Sequence, residues 1–268
     1  MSQVLTAEIV QLIEKSEMEY MLDRMTAIQE RVGNPEGVEL KHFGSALALY
    51  SRTMPWPAFN TVKGIASADL ECMDAILDFY RTRGRSGQFE IVPSLVDQRY
   101  LKQLSERGYY QSGFHASLYT EPREIHETSP SHIRIEELQE DQFIQYAAIH
   151  CRGTGLPDEG IPSVAANNQV LYGRPGWKFY IAYANEEPAA VGVMHMKNGI
   201  ASLTFAATLP EFRNQGIQQR LLETRIDEAY RNGCRWVVGQ SAFLSRSHRN
   251  MERVGMKLGY VRTSWTER

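Results

Sequence analysis

The sequence predicts an α/β protein, with helices and strands alternating along two similar halves. Three observations predict it. In both halves an apolar helical period ends at a glycine and is followed by a short strand, in the same order. A polar segment with two prolines, residues 120–130, lies between them and reads as a linker. The 268 residues, 43% hydrophobic and 23% charged, suffice for two ordinary domains with cores of their own.

In the first half, Met54-Pro55-Trp56-Pro57-Ala58-Phe59 reads as a Pro-stiffened turn or as an aromatic flap. Ser67 is placed to cap a helix whose apolar face is Leu70, Met73, Ile76, Leu77 and Tyr80. That helix ends near Gly84, and residues 88–92 follow as a strand. Ser94 starts another helix that reaches Gly108, and residues 109–119 read as a closing strand rich in aromatic side chains.

In the second half, residues 189–196 and 201–209 are apolar strands, and Pro210 ends the latter. Ile217, Leu221, Leu222, Ile226, Ala229 and Tyr230 then form the apolar face of a helix that stops near Gly233. A strand at 234–238, a short helix ended by Gly255 and a last strand at 256–264 complete the pattern. Local echoes link the halves. Phe79-Tyr80-Arg81 matches Ala229-Tyr230-Arg231, and Glu106-Arg107-Gly108 matches Glu252-Arg253 with Gly255 behind it. Duplication explains both, although helix-glycine-strand endings also arise independently. The expected boundaries are 1–125 and 131–268.

No apolar run approaches the roughly 18 residues of a membrane helix, and the start of the chain lacks a basic, then apolar, secretory signal. The expectation is a cytoplasmic protein that binds no membrane. Three cysteines, Cys72, Cys151 and Cys234, are too scattered for a disulfide framework or a Cys-x-x-Cys metal site, so no metal is expected. Net charge is −3, which gives no global basic field for nucleic acid. The sign is uneven. Residues 201–268 hold 11 Lys and Arg against 6 Asp and Glu, a net of +5 that leaves −8 elsewhere. Such an excess suits a local anion or a solvated basic face equally.

The richest stretch is Arg213-Asn214-Gln215-Gly216-Ile217-Gln218, between the strand and the helix. Gly216 lets the backbone approach a ligand, and no Ser, Thr or Asp stands before Ile217 to cap the helix. The first helical N–H groups are therefore candidates to bind an anion. Aligning Tyr80 with Tyr230 puts Lys63-Gly64-Ile65-Ala66 at this place in the first half, where the spacing is lost. Other motifs fail. Gly239-Gln240-Ser241-Ala242-Phe243 lacks the last glycine of a nucleophile elbow, and no Gly-Lys-Ser or Gly-Lys-Thr completes a P-loop, which argues against a hydrolase or an NTPase.

Thr208-Leu209-Pro210-Glu211-Phe212-Arg213-Asn214-Gln215-Gly216-Ile217 resembles the junction of strand 4 and helix 3 in the GNAT superfamily of acyl-CoA N-acyltransferases. That family carries Arg or Gln, two residues, Gly, one residue, then Gly or Ala; here Gln218 takes the last place. The resemblance implies tandem GNAT-like folds of the α+β kind, each a mixed, mostly antiparallel sheet flanked by helices, the first a degenerate copy. It implies that the backbone of Arg213, Asn214, Gln215, Gly216, Ile217 and Gln218 holds the pyrophosphate of acetyl-CoA (coenzyme A). It further implies that Ala206, Ala207 and Thr208 pair with the pantetheine arm, and that Asn250 stands near it. A plain helix-surface asparagine is the other reading of Asn250.

The implied activity is transfer of an acetyl group to an amine, of a small molecule, by direct attack in a ternary complex. A free alkylamine, with a pKa near ~10, needs a base or a water chain to deprotonate it. A backbone N–H near Ala207 or Thr208 is placed to stabilise the oxyanion. Many relatives protonate the leaving sulfur with a Tyr in the last helix. Here Met251 or Gly255 occupies that place, depending on register, which leaves Ser247, Tyr260 or water as the acid. Asp158 and Glu159 are candidates to hold a cationic acceptor, or form an acidic solvated turn. His150 beside Cys151, and His195 within its strand, read as packed side chains rather than as nucleophile or base. Two alternatives remain: a non-catalytic coenzyme A-binding regulatory module, and a transferase that uses a longer acyl-CoA.

Overall fold

The structure is a computed structural model that describes residues 4–125 and 132–268. Residues 126–130 of the expected linker lie outside the described residues. The chain forms two compact units, one of Met1–Ser117 with Leu258–Arg268 and one of Leu118–Lys257.

In the first unit, helix α1 (Ala7–Gln29) is capped by Thr6, whose side chain accepts from Ile9 N. Strands β1 (Glu39–Phe43), β2 (Ala46–Tyr50) and β3 (Thr61–Lys63) run antiparallel in succession. Strand β4 (Gln88–Ile91) is parallel to β3, and helix α2 (Met73–Arg81) lies between them in sequence. Ser67 opens a 3-10 turn ahead of α2 instead of capping it. Helix α3 (Gln98–Glu106) is capped by Asp97, a few residues later than expected. Strand β5 (Tyr109–Thr120) closes the unit. Tyr80 anchors the core: its hydroxyl donates to the carbonyls of Leu49 (2.8 Å) and Thr61 (3.1 Å). Pro57–Phe59 is a 3-10 turn with Met54 and Phe59 buried beside it, a stiffened turn and not a free flap.

The last strand, β11 (Lys257–Glu267), also belongs to this unit from Leu258 onward. It pairs antiparallel with β4, Ser264 opposite Glu90, although the sequence reading places it with the second half. The reason is electrostatic as well as geometric. Arg262 brings a cation to the buried carboxylates of Glu17 on α1 and Glu90 on β4, and Lys63 pairs with the same two. Glu14 completes the cluster, accepting from Gly64 N (3.0 Å) and from the Tyr260 hydroxyl (3.2 Å). Burial opposes ionisation of Glu17, yet Arg262 and Lys63 pull its carboxyl down to about 2.

In the second unit the strand order is β10-β9-β8-β7-β6. Strands β6 (Ile133–Glu137), β7 (Trp177–Ala184), β8 (Glu187–Lys197) and β9 (Ile200–Thr208) are antiparallel neighbours, and β10 (Trp236–Ala242) is parallel to β9. Asn198-Gly199, both at positive φ, turns β8 into β9 in the manner of a tight hairpin. Helices α4 (Phe143–Thr154) and α6 (Ile217–Arg231) pack on the sheet, and α5 (Ile161–Gln169) packs on α4. Helix α7 (Arg246–Arg253) is capped by Ser245, whose side chain accepts from His248 N. Among the described residues no helix is long and apolar enough to cross a membrane.

Candidate functional site

Strands β9 and β10 pair only from Trp236 opposite Ile200 to Gly239 opposite Leu203. Beyond that point β9 runs on, so residues 204–208 have an edge that β10 does not cover. On the other side β8 pairs with a register shift: Gly192 faces Ala206, but Met194 faces Leu203. One extra residue in β9 makes a bulge there. Arg225 on α6 holds it. This side chain is 1% exposed; Nε donates to Leu221 O (2.9 Å), and Nη1 to Val193 O (3.0 Å) and Thr204 O (3.5 Å). Burial pulls the guanidinium down to about 10. Gly192 makes the room, since a Cβ there would stand 3.1 Å from the guanidinium carbon. The sequence reading missed Arg225. The signal was a charge in the stripe Ile217, Leu221, Arg225, Ala229, spaced by four on the buried face.

After β9, a 3-10 turn (Pro210–Phe212) leads to Asn214 at φ 67° and Gly216 at φ 81°. Helix α6 then begins at Ile217 with no side-chain cap. A Cβ at Gly216 would meet nothing within 4 Å, so this side of the helix start is open. The Arg213 guanidinium is engaged with main chain, donating to Gly153 O (2.9 Å) and Thr208 O (3.4 Å). It staples the loop to α4 and β9. Gly153 permits that approach, because a Cβ there would lie 2.9 Å from the Ala207 Cβ and 3.1 Å from Thr208 O.

Helix α7 supplies the opposite wall. Gln218 donates to the Ser247 hydroxyl (3.0 Å), Asn250 donates to Gln218, and Arg253 donates to Asn250 (2.7 Å). Between these elements lies a cavity of about 670 Å³. Ala206, Ala207, Thr208, Arg213, Asn214, Gly216, Ile217, Gln218 and Asn250 all line it. Gln215 does not; its amide donates back to Glu211 O (3.3 Å). Arg246, Arg249 and Arg253 line it too, and the sequence reading registered them only as part of a basic excess.

The other candidates stand away from this lining. Asp158 forms an exposed ion pair with Arg152 (2.8 Å), which holds its carboxyl below the usual range, and Glu159 is exposed in the same turn. His150 stacks on Tyr146 (5.9 Å between rings), and burial pushes the Cys151 thiol up. His195 is buried against Trp177 (4.7 Å). Ser247 reaches the cavity only through Gln218. Tyr260 belongs to the first unit, where burial and then Glu14 push its phenol up. Met251 is buried, with its methyl directed at Gly239.

Residues 133–256, which include every residue lining the cavity, match the Acetyltransferase (GNAT) family. No curated protein matches the chain. A solved GCN5-related N-acetyltransferase from Kribbella flavida shares the fold with a TM-score of 0.64 at 14% identity, over 91% of this chain and 95% of its own. A functionally unknown conserved protein from Staphylococcus epidermidis does so at 0.61 and 14%, over 87% and 94%. A tandem GNAT protein from the clavulanic acid biosynthesis pathway gives 0.56 at 12%, over 77% and 74%. At such identities the likeness is one of fold, helices flanking mixed and mostly antiparallel sheet. Residues 133–256 are thus similar to the GNAT family, whose members are acyl-CoA-dependent N-acyltransferases, and the chain shares the fold of these solved structures.

Proposed function

We propose that the second unit binds acetyl-CoA in this cavity and transfers the acetyl group to an amine of a small cytoplasmic molecule, by direct attack in a ternary complex. One observation carries the reading: an uncovered strand edge at 204–208 and an uncapped, open helix start at Gly216 meet in a single cavity. The edge offers main-chain donors and acceptors to an extended amide-containing arm. The helix start offers N–H groups and the positive end of its dipole to a pyrophosphate. Arg213 holds the loop, while Gln218 and Asn250 add carboxamides to the wall. Bound there, acetyl-CoA supplies an activated thioester carbonyl.

Proton handling falls to water. No carboxylate, histidine or tyrosine lines the cavity among the described residues, so the amine loses its proton through a water chain. Ser247 reaches the cavity only through Gln218, so water is also the donor we assign to the leaving sulfur. In the first unit, Gly64 N is already taken by the Glu14 carboxylate, which supports one coenzyme per chain. Met251 or Gly255, depending on register, stands where many relatives carry Tyr, which favours the second reading, a module that holds coenzyme A without transfer.

The test is calorimetric and chemical. Acetyl-CoA should bind once per chain and raise the melting temperature; no shift sinks the coenzyme reading. Thiol release with some member of an amine panel supports transfer, whereas silence with tight coenzyme binding selects the second reading. Acetyl, propionyl and longer donors compared side by side identify the acyl group.

A further inference from the structure

We infer that the arginine face of α7 is a subsite for the 3′-phosphate of coenzyme A, through which the protein distinguishes the coenzyme from its 3′-dephospho form. The inference rests on the coenzyme reading and deepens it. At about 100° per residue, positions 246, 249 and 253 fall within roughly 60° of arc, and at about 1.5 Å per residue they span roughly 10 Å. All three line the cavity. Among the described residues Arg246 and Arg249 make no ion pair or side-chain hydrogen bond, and Arg253 donates to Asn250 alone. No lining residue is acidic. Like charges on one helix face repel by a few tenths of a kcal/mol per pair, and nothing in the cavity wall offsets them.

Two kinds of anion receptor therefore share one cavity. The α6 helix start offers backbone N–H groups, which suit a pyrophosphate carrying about one charge per phosphorus. The α7 face offers side-chain cations, which suit a terminal phosphomonoester of about −1.5 to −2 charge at neutral pH. A coenzyme that ends in a 3′-phosphorylated adenosine carries both. Because Arg246, Arg249 and Arg253 are exposed, their attraction is screened by salt.

The experiment is calorimetric titration of the full chain with coenzyme A and with 3′-dephospho-coenzyme A, in wild type and in the double variant Arg246→Ala/Arg249→Ala. Both side chains are exposed, so the variant should fold, and an unchanged melting temperature without ligand checks this. Wild type should prefer coenzyme A by about tenfold or more at low salt. In the variant the two ligands should bind alike, at nearly the wild-type affinity for the dephospho form, and added salt should shrink the wild-type preference. Equal binding of both ligands by wild type, or a preference that survives in the variant, overturns the subsite while the coenzyme reading stands. If neither ligand binds, the coenzyme reading and the subsite fall together.

Discussion

Replacing Arg262 with methionine should destabilise the first unit by about 3–5 kcal/mol, because it leaves buried carboxylates short of a cation. The structure sets the terms. Glu17 and Glu90 share two cations, Lys63 and Arg262, and all four side chains are at most 7% exposed. With Arg262 gone, one lysine faces both carboxylates. At about 2–4 °C per kcal/mol for a chain of this size, the melting temperature should fall by roughly 6–20 °C. The assay is thermal and urea unfolding of the full chain at neutral pH. Glu17→Gln made in the Arg262→Met background should recover part of the loss, since the pair is then removed together. A loss under about 1 kcal/mol, or no coupling between the two changes, would refute the view that Arg262 compensates these charges.

Acid should act through the same cluster. Glu17 falls from 4.5 to about 2 on folding, so its contribution is fully present above pH 4.5 and is lost as pH falls through about 2. A titration of stability should lose about 3 kcal/mol from this group over that window, and Glu17→Gln should flatten the profile there. Glu14, raised by burial, works with opposite sign, its contribution fading as pH rises through its folded value. Gly153→Ala should cost about 1–3 kcal/mol and weaken acetyl-CoA binding in calorimetry, since a Cβ 3.1 Å from Thr208 O pushes α4 off β9. Arg225→Met should lose about 1–3 kcal/mol by leaving bulge carbonyls unpaired, and should also weaken acetyl-CoA binding; unchanged binding would detach the bulge from the site. Gly216→Arg should abolish the acetyl-CoA melting shift by filling the open helix start, whereas an untouched shift would mean that the coenzyme binds elsewhere.

Local physics made much of the second unit legible. Helix α6 spans Ile217–Arg231, where the period of its apolar face put it, and Gly216 adopts the left-handed conformation that the loop demands. The Gln215 side chain folds back to donate to Glu211 O, a direction that depends on its neighbours in space. Asn250 was an even choice between site and surface, and the hydrogen bond to Gln218 across two helices was beyond any local pattern.

Sequence alone determined the helix-glycine-strand ending of each half, the uncapped loop before α6 and the family resemblance, since each depends on residues within about one turn or strand of one another. Tertiary structure decided the rest. It put β11 beside β4, where Arg262 meets Glu17 and Glu90 from positions 245 and 172 residues away in the chain. It gathered Arg246, Arg249 and Arg253 against the loop of Gly216, turning a diffuse basic excess into one wall of a cavity. Buried charge and shared cavities are long-range facts, because Coulomb attraction and packing act through space and carry no record of sequence separation.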